Sequence, residues 1–402
     1  MSELAQRQET KDRSLLGEVK TMARSNIQQY AMYLVLVIII SMFTILTKGG
    51  FLRPGNIVNL INQVGYVAVL AIGMTLILII RHIDLSVGYV AGFIGAIVAI
   101  MLKSGTNVWV AMLTGLAIGA LIGLYQGTLI AYVGVPAFVT TLAGMFIFRG
   151  LLLMTLQSTG TIITSDPIFN AMSNGTVPDF FKGTDLNLLT LLLGALAVVC
   201  VVAIQLRSRR HRQKYHFKVV SAPMMWAGIA LAAAVILVLT WVLANYTGLP
   251  ITAVIVLAIL LLYNYTLNKT KIGRYIYGIG GNPEASLLSG VNVKKVTLLC
   301  FVSMSTLAAL AGMLYTSRLT SATPAAGVGF EMEAIASCYI GGVAVSGGKG
   351  RVTNTLVGAL IMASLTNGMN LLYVDAAFQY IVKGAIFIIA VAFDVISQKN
   401  TK

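Results

Sequence analysis

Eleven apolar runs of membrane-crossing length recur along this chain, and that recurrence constrains the fold more than any motif does. A helix needs roughly 17–25 consecutive apolar residues to cross a bilayer. The runs lie near 30–47, 64–81, 86–103, 108–132, 135–156, 187–205, 222–244, 250–268, 296–317, 354–373 and 376–396. A twelfth piece, 331–346 (EMEAIASCYIGGVAVS), is shorter. It either crosses as a short, irregular helix or dips in and returns, since non-helical backbone is tolerated at depth where it lines a cavity. The crossing is the reading adopted, because it makes the count even. The expected fold is an all-α polytopic membrane protein of 11–12 segments, one or two of them short or broken. Only 10% of residues are charged, where a soluble domain carries nearer ~25%.

The net charge of +15 would suggest nucleic acid in a soluble chain, but only if the cations shared one exposed surface. Here they fall between apolar runs, the positive-inside pattern, so no nucleic-acid partner is expected. Three basic stretches set the direction. These are a polar tail, 1–29, with Arg13, Lys20 and Arg24; Arg207 to Lys218; and a loop with Lys269, Lys271, Arg274, Lys294 and Lys295. All three are cytoplasmic if the N-terminus is inside, which leaves 157–186 outside and both termini in the cytoplasm. The tail lacks an apolar stretch followed by a cleavage site and is expected to be a cytoplasmic extension of one membrane domain, 30–402. The basic run at 206–218 keeps its loop inside and also suits anionic headgroups. Cys200, Cys300 and Cys338 sit in apolar runs and read as small buried hydrophobes.

The loop segment GGNPEASLLSG, 280–290, carries helix start and stop signals a few residues apart. Asn282 suits an N-cap, Pro283 the first helical position, and Glu284 the positive end of the helix dipole. Gly290 offers a left-handed stop. The enclosed helix is far shorter than the ~12–15 residues at which isolated helices become marginal. It presents Leu287 and Leu288 among cations, to be covered either by a partner protein or by the membrane and the chain's own bundle.

Polar residues at membrane depth are few, so each is a candidate. Asp84, in IDLSVG, stands at the end of the second span, either in the break of a pathway-lining helix or capping the third span while paired with Arg81. Arg149 lies inside a span and either pairs with Glu331 or Glu333 or faces a wet cavity. Gln126, Asn367, Asn370 and Gln379 offer both donors and acceptors, which suits a neutral hydroxyl-rich solute and equally suits interhelical bonding. An apolar helix with a polar, glycine-bearing break occurs at 64–103 and again at 331–373, a weak internal echo of the kind that marks transport paths. The enzyme alternative lacks its parts: H-E-x-x-H and G-x-S-x-G are missing, and VAVSGGKGR fails the phosphate-loop pattern at Val343 and Gly350. No metal or cofactor is expected.

Taken together, RHIDLSVG at 81–88, VPAFVTTLAGMFIFRG at 135–150, GRYIYGIGGNPEASLLSGV at 273–291, ATPAAGVGFEMEAIASCYIGGVAVSGGKG at 322–350, NGMNLL at 367–372 and AVAFDV at 390–395 resemble one family. It is the permease subunit of bacterial ATP-binding-cassette sugar importers, nearest the xylose and multiple-monosaccharide members. The resemblance covers roughly 55–396. The chain departs from it at Gln126-Gly127, where many relatives have Asn-Gly, and is longer than the ribose type around 206–245.

The resemblance implies a homodimeric pore in the bacterial inner membrane, cytoplasmic ATPase modules beneath it and a periplasmic binding protein delivering a monosaccharide. It also implies that 269–295 is a coupling loop, with Gly273, Arg274, Asn282, Pro283, Glu284, Leu287, Leu288 and Gly290 at the ATPase contact. Asp84, Gln126, Arg149, Glu333, Asn367 and Gln379 remain the candidate pathway residues. The competing reading is an ion-coupled secondary transporter or a non-transporting membrane scaffold.

Overall fold

A computed structural model describes residues 27–181, 186–215, 217, 219 and 221–399. Most of the expected tail, with Arg13, Lys20 and Arg24, lies outside the described residues, as do His216, Lys218 and Lys402. Every apolar run contains a helix. In chain order these are α1 (Ile27–Leu46), α2 (Pro54–Ile79), α3 (Val87–Lys103), α4 (Val108–Thr128, continued by a π turn to Val133) and α5 (Ala137–Leu156). After β1 (Ile162–Ile163) and α6 (Pro167–Asn174) come α7 (Leu188–Lys214), α8 (Ala222–Ala244) and α9 (Ile251–Lys269). The loop helices α10 (Lys271–Gly281) and α11 (Pro283–Leu288) lead to α12 (Val293–Leu319) and β2 (Ser321–Ala322). The chain closes with α13 (Phe330–Ile340), α14 (Val352–Leu371) and α15 (Ala376–Lys399).

Among the described residues, seven helices are long and apolar enough to cross a membrane: α2, α4, α5, α7, α8, α9 and α12. Three more apolar helices, at Met32–Leu46, α3 and Ala376–Ile389, are shorter. The all-α, polytopic reading holds. Boundaries moved where polar residues masked a helix. The second run begins near 64 by hydropathy, yet α2 starts ten residues earlier, with Pro54 at its first position and Asn56, Asn59 and Asn62 in its opening turns.

The chain divides into two compact units. One contains residues 176–249 and holds the α7–α8 hairpin. Asn187 caps α7 by accepting from the Thr190 amide at 2.9 Å, and Thr190 Oγ1 in turn accepts from the Leu249 amide at 2.9 Å. The basic stretch expected as a loop is helical as far as Lys214. At 1.5 Å per residue, α7 is about 40 Å long, which exceeds a ~30 Å hydrocarbon core by some two turns. Cys200 is exposed rather than buried, because a two-helix unit covers only one face of each helix.

The other unit, 32–175 and 250–402, packs its helices around α2 and α12. α2 is buried on nearly all sides, as a helix apolar all round should be. Lipid tails are as apolar as leucine, so these helices meet through small residues that bring backbones together. Gly115, Gly119, Gly123 and Gly127 form an i+4 stripe along α4, and the last three face α12 from Leu298 to Ala309. On α12 itself, a Cβ at Gly312 would overlap the Ala91 carbonyl of α3.

The short segment runs the length of the bundle. Arg318 Nη2 donates to Asn59 Oδ1 at 3.1 Å, which sets the end of α12 beside the start of α2. β2 leaves from that end, paired antiparallel with β1. The Gly348 amide donates at 2.9 Å to Ile79 O, at the opposite end of α2. Residues 321–348 therefore run from one end of the bundle to the other. α13 alone is about 16 Å long, half the ~30 Å core; the turns on either side complete the path.

Glycine contact at α12 makes a stability prediction. Gly312→Val should lower the thermal midpoint of the detergent-solubilised protein by an amount equivalent to about 2–3 kcal/mol of overpacking. Gly150→Val, where a Cβ meets nothing, should leave the midpoint close to that of the parent.

Candidate functional site

Two places in the main unit concentrate polar groups: the break between α2 and α3, and the loop carrying α10 and α11. At the break, Asp84, Ser86 and Gln126 are all fully buried. The Ser86 amide and hydroxyl donate to Asp84 Oδ1 at 2.9 and 2.7 Å. Gln126 Nε2, from α4, donates to Ser86 Oγ at 3.0 Å. A directed chain thus runs from the Gln126 amide through the hydroxyl to the carboxylate. Gly144 of α5 makes room for it, since a Cβ there would strike Gln126 Nε2. Thr141, one turn earlier, donates to the Ile83 carbonyl at 3.2 Å and fixes the backbone before Asp84.

The second carboxylate oxygen, Asp84 Oδ2, has no protein partner, and neither does Glu331 Oε2, which lies beside Gly88 in the first turn of α3. Both acids therefore stand near the positive end of the α3 dipole. Asp84 is not paired with Arg81, whose guanidinium turns to the carbonyls of Gly280 and Gly281 instead.

Other expected partners also changed. Arg149 pairs with neither glutamate; it lies on an exposed face of α5 with its guanidinium 5.7 Å from the Tyr89 ring centre. Glu333 is claimed by Lys383 of α15 at 2.5 Å. That lysine sits well inside the last apolar run and passed unnoticed, although a lone cation in such a run is signal enough. Asn367 exchanges amide bonds with Asn56 of α2, at 2.8 and 3.1 Å, and Gln379 donates to Asn370 Oδ1 at 2.8 Å. Asn367 and Gln379 thus spend bonding capacity between helices, whereas Gln126 belongs to the break. Thr141, Gly144 and Asn56 were missed, because small polar residues and glycines carry no signal until their neighbours are known.

The loop site matches its punctuation. The Asn282 side chain accepts from the Ala285 amide at 3.0 Å, Pro283 opens α11, and Glu284 sits in the first turn. Gly290 has φ +83°, and the bonds Gly290 N to Leu287 O and Val291 N to Ser286 O, both 3.0 Å, close the end in a Schellman pattern. Leu287 is 63% exposed and Leu288 89%, so the chain's own bundle does not cover them. A cleft of about 580 Å³ opens beside them, lined by Pro283, Glu284, Leu287, Gly290, Val291 and Val293 among others. Gly273 is buried against the Leu267 and Thr266 carbonyls, while Arg274 is exposed. Among the described residues no group of three or more His, Cys, Asp or Glu is placed to hold a metal.

The family model for the branched-chain amino acid transport system permease component matches residues 56–391. The xylose transport system permease protein of Haemophilus influenzae is 36% identical over 381 residues, covering 93% of this chain and 98% of its own. Its counterpart in Escherichia coli K12 is 37% identical over 383 residues, 94% of each chain. The ribose import permease protein of Escherichia coli K12 is 32% identical over 359 residues, 89% of this chain and 91% of its own. No solved structure matches. A multi-pass helical bundle with a capped loop helix, matched by the family model over most of its length, belongs to the transport-system permease family that also contains these xylose and ribose permeases.

Proposed function

We propose that this chain is the membrane-spanning subunit of an ATP-driven importer for a neutral monosaccharide, xylose or a related pentose or hexose, in the bacterial inner membrane. Two copies line the pore, a separate cytoplasmic ATPase docks on 269–295, and a periplasmic binding protein supplies sugar at the opposite face. The observation that carries the reading is α11, a helix too short to persist alone, capped at both ends, with two leucines in water beside an open cleft. Burying leucine side chains contributes about 1.5–3 kcal/mol each, enough to anchor a partner. The permease performs no chemistry. It needs only to bind its ATPase differently in its inward- and outward-facing states, because a partner shifts an equilibrium by its differential affinity alone.

A second reading, an ion-coupled carrier, draws on Asp84, a buried acid with a free oxygen. Uptake by cells separates the two. The proposed importer continues after collapse of the proton gradient and stops on ATP depletion; the carrier does the reverse.

Orientation is tested with single cysteines in a background lacking Cys200, Cys300 and Cys338. An impermeant thiol reagent added to intact cells should label Thr176→Cys and spare Arg212→Cys and Glu284→Cys. Labelling of either of the last two from outside reverses the topology.

In the pathway, Gln126→Ala removes the donor to Ser86 and should slow uptake about tenfold or more while sugar preference stays with the binding protein. Asn367→Ala strips Asn56 of its partner and should cost about 1–3 kcal/mol of stability instead, again with preference unchanged. A changed preference in competition assays places selectivity in the pore.

Docking is tested at α11. Leu288→Glu puts a charge into an apolar contact at a cost of several kcal/mol and should abolish ATPase co-purification. Gly290→Val strains the left-handed stop and should be nearly as damaging. Asn282→Ala loses about 1 kcal/mol of capping and should be mild. Full docking and full sugar-stimulated ATP hydrolysis in Leu288→Glu assigns α11 to the membrane surface instead.

A further inference from the structure

The α2–α3 break and the coupling loop are joined by a seam of backbone contacts centred on one side chain. Arg81 closes α2 in the left-handed region, φ +66°, at the position after the cap where glycine is the usual residue. Its amide donates to Leu78 O at 3.0 Å, and the next amide, His82, donates to Ile77 O at 2.9 Å. From there the guanidinium reaches the last residues of α10. Nε donates to Gly280 O at 2.6 Å and Nη2 to Gly281 O. These carbonyls sit at the negative end of the α10 dipole, where a cation is favoured.

Glycines on both sides keep this approach open. A Cβ on Gly280 would overlap the Ile79 carbonyl, and one on Gly347 would strike the stem of Arg81 itself. The turn after α13 completes the seam, with Gly348 N donating to Ile79 O at 2.9 Å and Tyr277 Oη of α10 donating to Gly350 O at 2.7 Å. The two breaks of the internal echo thus meet each other and the coupling loop at a single point. Asp84 follows Arg81 by three residues, a reach of at most about 10 Å.

We propose that Arg81 is a positioning residue that transmits displacement of the coupling loop into the buried Asp84–Ser86–Gln126 chain. The inference rests on the reading of α10–α11 as the ATPase docking loop. Movement of α11 with the ATPase carries the C-terminal carbonyls of α10, and the forked guanidinium carries the end of α2 with them. The break lies immediately beyond that end, where Ser86 bonds to Asp84, Gln126 to Ser86 and Thr141 to the Ile83 carbonyl. Arginine suits the task because its planar fork grips two carbonyls at once, which the single ammonium of a lysine does not match. Arg81 touches the loop's backbone and leaves the exposed faces of Leu287 and Leu288 alone, so its loss should separate docking from transport.

The test uses the complete transporter, permease with its ATPase and binding protein, in proteoliposomes, with radiolabelled xylose as the probe. Arg81→Met and Gly280→Ala should retain ATPase co-purification and ATP hydrolysis, yet deliver about tenfold less sugar per ATP, a typical size for a lost coupling between sites. Arg81→Lys should fall between these and the parent. Gly281→Ala adds a Cβ that meets nothing and controls for altering the glycine pair. Unchanged sugar per ATP in Arg81→Met and Gly280→Ala overturns the proposal. So does loss of ATPase binding in well-folded Arg81→Met and Arg81→Lys, which makes Arg81 a shaper of the docking surface. If Arg81→Met fails to insert, Arg81→Lys and Gly280→Ala decide by the same ratio. An unmodified permease that binds no ATPase defeats the docking reading itself and is recognisable as a different failure.

Discussion

Backbone-to-backbone contact across glycine faces is the interaction on which the main unit depends. In lipid there is no hydrophobic gain from bringing two apolar helices together, so close packing and a few polar bonds must supply the attraction. The glycines of α4 and Gly312 of α12 bring α12 within backbone distance of α4 and α3. Bulk at any of these points separates the helices and loses many weak contacts together, because interiors this dense do not deform gradually.

That close packing makes the broken segments tolerable. An interrupted helix at membrane depth exposes amides and carbonyls that hydrocarbon cannot satisfy, so protein must satisfy them. Here the break after α2 is satisfied by its own Schellman-type closure, by Gly348 and by Thr141; the turn after α13 bonds back to Ile79 and accepts from Tyr277. Each interruption provides partners for the other. The buried chain from Gln126 through Ser86 to Asp84 forms where three interrupted or glycine-lined elements converge, which lets a polar cluster survive in an apolar bundle.

The loop that carries α11 follows the opposite logic. Its helix is too short for cooperative stability and too exposed for burial to hold it, so local bonds do the work. Asn282 satisfies an N-terminal amide, and the Gly290 closure satisfies two C-terminal carbonyls. The leucines remain uncovered. A rigid, capped shape with an unpaid apolar face is suited to insertion into another protein, since little conformational entropy remains to be lost on docking.

The sequence alone determined the fold class, the approximate places of the helices within the eleven apolar runs and the caps of α11, because these depend on hydropathy and on contacts within a few residues. Asp84 and Gln126 were legible as rare polar residues at depth. What they touch was not. Tertiary structure alone decided that Gln126 meets Ser86 across 40 positions, that Asn367 pairs with Asn56 across 311, and that Lys383 rather than Arg149 takes Glu333. It also decided that Arg81 grips a loop 199 residues away instead of the nearby Asp84. The reason is physical: a helix cap is specified by its immediate neighbours, whereas a long polar side chain bonds to whatever the packing of separate helices brings within 3 Å of it.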